Sequence, residues 1–256
     1  MSAIWNDGAL SQFLPRLRHL TVYGTSGNAL QISALRFASL NLLLVGDNPA
    51  RVVITEASDL QTIELGRAML MPPTGSFVTL PTVQVRKAKF YSPASLKTLV
   101  LPSLQSLYMG NYERTPMEVL FKQFLARSTC SIQRFCSAGI FHELQVVLAQ
   151  LPPLQYLDLS EWRAESTDMH VLLEAVRRQS VPPPKILSVA LKQQKLANYI
   201  FDLVDAWSHF PPQISLNRLM IYYHDVGALD REAVIRICSI IARGIIVQMV
   251  YKSVPV

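Results

Sequence analysis

The spacing apolar-x-x-apolar-x-apolar returns ten times along these 256 residues, with Ser137 in the last place of the sixth copy, starting at Leu17, Leu40, Leu60, Leu80, Leu104, Ile132, Leu154, Ile186, Leu216 and Ile246. The last two apolar positions of each phrase alternate with other residues, as in a strand that buries one face. Return at intervals of 20 to 32 residues leaves room for one connecting segment per strand and little more. Three copies share a longer phrase, Leu14-Pro15-Arg16-Leu17-Arg18-His19-Leu20, Leu101-Pro102-Ser103-Leu104-Gln105-Ser106-Leu107 and Leu151-Pro152-Pro153-Leu154-Gln155-Tyr156-Leu157. One such unit cannot bury its own apolar face, so the pattern implies units stacked side by side around a continuous core. Half of the residues are hydrophobic and 16% are charged, which supplies that core.

The intervals divide the chain into two styles. Up to Leu104 the connections are short, and Ala29–Leu35 and Arg51–Thr55 alternate with period two, so extended or turn-like returns are expected. Beyond Leu104 most intervals lengthen and the inserted residues take helical spacing. Thr115 can cap a helix, Pro116 suits its first position, and Glu118 completes a capping box. Met117, Leu120, Phe121, Phe124 and Leu125 then share one face. Similar stripes follow at Phe141, Leu144 and Leu148; Met169, Leu172, Leu173 and Val176; Leu196, Ile200, Leu203 and Trp207; and Val234, Ile237, Cys238 and Ile241. Alternation of strand and helix across short loops predicts parallel strands joined by crossovers. Pro182–Pro184 and Pro211-Pro212 punctuate the change from helix to strand.

This period and motif resemble those of leucine-rich-repeat arrays. The expected fold is therefore an α/β leucine-rich-repeat solenoid of about ten parallel strands, with helices on the convex side mainly in the C-terminal half. It is read as a single irregular domain over 1–256, with 1–14 as an N-terminal cap or remnant. The fourth phrase, Leu80–Val85, can be phased in two ways, and a one-residue shift would exchange its two faces. The three long phrases, with Tyr108-Met109-Gly110-Asn111 after the second and Asp158-Leu159-Ser160 after the third, look like the repeat region of fungal F-box proteins. That resemblance implies substrate recognition for a ubiquitin ligase. The Leu-Pro-x-Glu opening of an F-box does not occur in the sequence, so binding to a Skp adaptor is not expected from this chain alone.

Other classes of function find little support. No basic start followed by an apolar core marks a secretory signal, and Ala233–Tyr251, the most apolar stretch, is broken by Arg236 and Arg243. An intracellular protein of cytoplasm or nucleus, away from membranes, is expected. The three cysteines show neither a disulfide framework nor metal-ligand spacing, and the five histidines are scattered. His224-Asp225 has no nucleophile signature beside it, and no glycine-rich phosphate loop occurs. The chain is thus expected to be no enzyme and to need no cofactor or metal. The formal charge of +6 includes an acid-free basic stretch around Arg86, Lys87, Lys89 and Lys97. Its alternative reading is a nucleic-acid or polyanion binder acting through residues 86–97, against the simpler one of a solvated face.

The remaining candidate surface is the concave face, formed by strand residues that alternate with the inward ones. It contains His19, Tyr23, Arg86, Tyr108, Arg134, Tyr156, Asp158, Lys192, Arg218 and Tyr222, with Cys136, Ser160, Ser188 and Met220 among them. Tyr and Arg are the side chains that most often anchor protein interfaces, so an unidentified protein partner is expected there. The segment after the tenth phrase start, Ile246–Val256, is rich in β formers and reads as an unprotected edge, one that self-associates or lies under the helix Asp230–Arg243.

Overall fold

The computed structural model describes residues 19–24, 30–32, 39–44, 51–54, 62–65, 69–70, 78–79, 87–90, 95–110, 116–139, 143–163, 165–191, 194–223 and 230–251. They form an α/β fold with a mostly parallel sheet. The chain packs as two compact units, residues 1–107 with 120–131, and residues 108–119 with 132–256.

In the first unit β1 (His19–Gly24), β3 (Ser39–Leu44), β5 (Thr62–Leu65) and β8 (Lys87–Phe90) pair in parallel, bringing Leu20, Leu40, Ile63 and Ala88 into line. Ala88 and Phe90 are buried. The returns expected to be extended form a second parallel set, β2 (Leu30–Ile32), β4 (Arg51–Ile54) and β6 (Met69–Leu70). The ambiguous fourth phrase, Leu80–Val85, lies outside the described residues; β8 follows it, and the preceding β7 (Val78–Thr79) pairs with β9 (Leu99–Val100). One helical turn, α1 (Ser95–Thr98), appears earlier than the change in spacing indicates. It is tied to residues 120–131 by the Arg127 guanidinium, which donates to the Leu96 carbonyl at 2.6 Å, while the Leu101 N–H donates to Ser128 Oγ at 3.0 Å.

The second unit holds β10 (Ser106–Gly110) from Tyr108 onward, then β11 (Arg134–Gly139), β12 (Tyr156–Trp162), β13 (Ile186–Leu191), β14 (Arg218–Tyr223) and β15 (Ile246–Tyr251), side by side in chain order. From β11 to β15 every neighbouring pair is parallel. Of α2 (Met117–Ser128) only the first three residues belong to this unit, the rest to the first; between the later strands run α3 (Leu144–Leu148), α4 (Ser166–Arg177), α5 (Gln194–Trp207) and α6 (Arg231–Ala242). Leu157, Leu187 and Leu219 are essentially inaccessible, whereas Arg134, Arg218 and Gln248 are exposed, so one face is covered and the other is not.

Most helical stripes are buried as their spacing requires: Met117, Leu120, Phe121 and Phe124 on α2, Met169, Leu172, Leu173 and Val176 on α4, and Ile200, Leu203 and Trp207 on α5. Helix ends depend on partners distant in sequence as well as on local caps. The Met117 N–H at the start of α2 donates to Glu143 Oε2 at 2.6 Å, while Thr115, the expected cap, lies outside the described residues. Trp207 Nε1 donates to the Val181 carbonyl at 3.1 Å. At α6 the cap is local, with the Ala233 N–H donating to Asp230 Oδ1 at 2.7 Å.

Three readings of phase are corrected. In β13 the residues aligned with Leu157 and Leu159 are Leu187 and Val189, so Ile186 stands in line with Tyr156 and Arg218 on the uncovered face. In β15 Val247 aligns with Leu219, and Ile246 is likewise turned outward. Both strands follow runs of consecutive apolar residues that satisfy the phrase in more than one frame. The third correction concerns α6, which buries Ala233 and Ile240 and leaves Val234, Ile241 and Cys238 exposed. Cys238 is therefore not the small core residue that its place on the stripe implies.

Candidate partner-binding face

Parallel register arranges the uncovered face in rows that run across the strands. One row is Arg134, Tyr156, Ile186, Arg218 and Ile246; the next is Cys136, Asp158, Ser188, Met220 and Gln248. Ala190, Tyr222 and Val250 belong to a third. Neighbouring strands lie about 4.8 Å apart, so Arg134 and Arg218 are separated by three spacings, roughly 14 Å. Both guanidiniums are exposed, and Tyr156 lies half-buried between them.

The strand starts and ends differ in charge. Arg134, Lys185 and Arg218 stand exposed at the starts, and the four-residue windows Ile132–Phe135, Leu154–Leu157, Pro184–Leu187 and Leu216–Leu219 contain no acid. Farther along β12 are Asp158 and Glu161. Asp158 is held in place from two sides: its Oδ1 accepts the Ser160 N–H at 2.9 Å, and its Oδ2 accepts the Tyr156 hydroxyl at 3.4 Å. Burial pushes the Tyr156 phenol above its ordinary value; the Ser188 hydroxyl draws it back, and the Asp158 carboxylate adds to the rise. Tyr156 therefore stays protonated and able to donate throughout the neutral range.

Register also shifts between Cys136 and Ala138, since Cys136 lies opposite Asp158 but Ala138 lies opposite Glu161. The additional residue in β12 breaks the alternation. Ser160, read from spacing as part of the open face, is buried, and Glu161 comes outward in its place, where its Oε2 accepts the Tyr108 hydroxyl at 2.8 Å. Glu161 is thus a face residue that strict period-two reading misses. Ser188 is a second departure. It belongs to the outward row, yet it has no accessible surface, enclosed between the longer side chains of neighbouring strands.

Of the candidate residues, Tyr108, Arg134, Tyr156, Asp158, Arg218 and Tyr222 come together on the second unit. His19 and Tyr23 occupy β1 of the first unit, at register positions beside Ser39 and Leu43. Arg86 and Lys192 lie outside the described residues, as do His224 and Asp225. The basic stretch is not purely cationic in its surroundings, because Glu64 of β5 is the register neighbour of Lys89. Among the described residues no group of three or more His, Cys, Asp or Glu side chains is placed to hold a metal ion, and no helix is long and apolar enough to cross a membrane.

No protein-family model matches this chain, and comparison with curated proteins and with solved structures finds no significant match.

Proposed function

We propose that this chain is a leucine-rich-repeat module that receives a partner protein on the uncovered face of β11–β14. The observation that carries the reading is the row Arg134, Tyr156, Ile186 and Arg218, in which parallel register sets two exposed guanidiniums on either side of an aromatic ring and an aliphatic side chain. Such a row combines the anchor types of protein interfaces on a sheet whose opposite side is already committed to the core. Its polarity selects the partner's chemistry. A segment with acidic residues over the strand starts, and an apolar or hydroxyl-bearing stretch over Tyr156, Met220 and Tyr222, matches the charge at both ends. The resemblance to the repeats of fungal F-box proteins supports a substrate-receiving role for the same face.

The test is affinity capture from native cell extract by the wild type and by the double variant Arg134→Glu, Arg218→Glu. Both positions are exposed, so the variant keeps the fold, which circular dichroism verifies. A protein retained by the wild type and lost with the variant supports the assignment. Equal retention by both removes the face from consideration, and capture dominated by nucleic acid that is released by modest salt favours the polyanion reading.

A further inference from the structure

On the uncovered face, β13 departs from its neighbours. Ser188 and Ala190 belong to its outward rows, yet both are buried, whereas Asp158 beside Ser188 on β12, and Met220 and Tyr222 on β14, keep part of their surface. The cause is side-chain length. Serine and alanine end close to the backbone, and the taller residues of the flanking strands, one spacing of about 4.8 Å away on either side, shade them. β13 is therefore the floor of a furrow, with Tyr156 and Asp158 along one wall and Met220 and Tyr222 along the other.

The floor carries an unanswered polar group. Ser188 Oγ is buried and makes no hydrogen bond of acceptable geometry, although it lies near enough to the Tyr156 phenol to oppose the upward shift of that group. Buried hydroxyls in folded proteins are nearly always paired, so an orphan on the outward side of a strand points to a partner from outside the chain. Beside it stands a carboxylate without a counter-ion. Asp158 Oδ1 is taken by the Ser160 N–H, but Oδ2 has only the long 3.4 Å contact with the Tyr156 hydroxyl, and among the described residues no cation pairs with Asp158.

We infer that this furrow takes a lysine side chain of the partner protein, its ammonium bound by the Asp158 carboxylate, with the Tyr156 and Ser188 oxygens completing three acceptors for its three donors. The inference rests on the partner-binding reading of this face and names the residue type that the partner inserts. A small turn of the Tyr156 phenol, whose hydrogen bond to Asp158 is long, opens Ser188 to the ammonium. The methylenes of the lysine supply the apolar contact with Met220 and Tyr222. Lysine fits better than arginine, because a compact ammonium with rotatable donors suits acceptors that converge at one point, whereas a guanidinium needs a broad planar match. Register adds a spacing. The row of Arg134 and Arg218 lies two residues before the row of Asp158 and Ser188, about 6.6 Å along the strands, and an extended partner advances by the same distance in two residues. Alternation turns residues two apart to the same side. A partner strand along the furrow thus meets the arginines with an acidic residue and Asp158 with a lysine when the two stand two positions apart.

The experiment uses the whole chain, isotope-labelled for NMR, and three blocked tripeptides: acetyl-Glu-Ala-Lys-amide, the same peptide with norleucine in place of lysine, and acetyl-Glu-Lys-Ala-amide. The first is expected to shift the amide signals of Asp158 and Ser188 saturably, with an affinity at least about tenfold above the other two, the step that one charge-assisted hydrogen bond supplies. Asp158→Asn keeps an acceptor for the Ser160 N–H and removes the charge, and should lower that affinity about tenfold. Ser188→Ala should also weaken binding while leaving the urea midpoint unchanged or higher, since the hydroxyl has no hydrogen bond to lose. Equal affinity for the lysine and norleucine peptides, signals that shift only elsewhere on the chain, or a folded Asp158→Asn variant that binds as tightly as the wild type overturns the inference. The two readings fail separately. A captured partner that is lost with Arg134→Glu, Arg218→Glu but held fully by Asp158→Asn keeps the partner-binding face and removes the lysine. Lysine-peptide binding at Asp158, with equal capture by the wild type and the double variant, keeps the ammonium site and removes a partner protein as its source.

Discussion

Replacing Leu187 and Ile186 separately by alanine sets the two possible frames of β13 against each other. In the register with β12 and β14, Leu187 lies in line with Leu157 and Leu219 and has no accessible surface. Its truncation removes three buried carbon atoms from a strand flanked on both sides, where the surroundings relax only in part. A loss of about 2 to 5 kcal/mol is expected, the range for core leucines. For a chain of this length each kcal/mol corresponds to roughly 2 to 4 °C in the unfolding midpoint, so a loss of about 3 kcal/mol lowers it by about 6 to 12 °C. Ile186 is half-buried on the uncovered face, beside Tyr156 and Arg218, and its truncation should cost about 1 kcal/mol or less. Urea denaturation of both variants, with unchanged slope, is the measurement. Equal losses, or a larger loss at Ile186, would refute the register and with it the row of face residues built on that register.

Arg236→Ala removes the contacts with the Asp202 and Asp205 carboxylates and the stacking on Phe201, and should destabilise by about 1 kcal/mol, since the aspartates are substantially exposed and water screens the pairs; a double-mutant cycle with Asp202→Ala measures the coupling. Burial pushes the Cys130 thiol from 9.0 to about 11. Its folded form thus holds the proton more tightly than the unfolded form, so the associated stability is complete below about pH 9 and is lost as pH rises towards 11. In thiol-labelling kinetics at pH 8, exposed Cys238 should react promptly and Cys130 slowly, and equal rates would contradict the burial.

The repeated phrase made parallel strands legible, and helical spacing made α2, α4 and α5 legible with their buried faces, because in each of these cases a single frame satisfies the pattern. Where apolar residues follow one another, as in Ile186-Leu187 or Ile245-Ile246-Val247, several frames satisfy it equally, and only pairing with a neighbour selects one. On the site, Arg134, Tyr156 and Arg218 were legible from alternation. Glu161 was not, because an additional residue in β12 interrupts alternation without any glycine or proline to announce it. The stripe on α6 shows a different limit. Periodicity establishes that a helix has an apolar side but does not say what covers that side, and here α6 buries Ala233 and Ile240 while Arg236 pairs with aspartates of α5.

The contact between Glu143 and the first turn of α2 has a consequence for how the second unit comes apart. A helix normally finds its N-terminal acceptor within its own segment, whereas Met117 obtains one from 26 residues farther along the chain. Opening the segment around α3 therefore unfastens the start of α2 as well, and removing an N-terminal acceptor costs about 0.5 to 2 kcal/mol. The start of α2 is then stabilised in part by the segment that follows it, and loss of order around Glu143 should reach Met117. A ribosome-bound chain has the same dependence in time, since α2 gains its completed first turn only once Glu143 has left the exit tunnel.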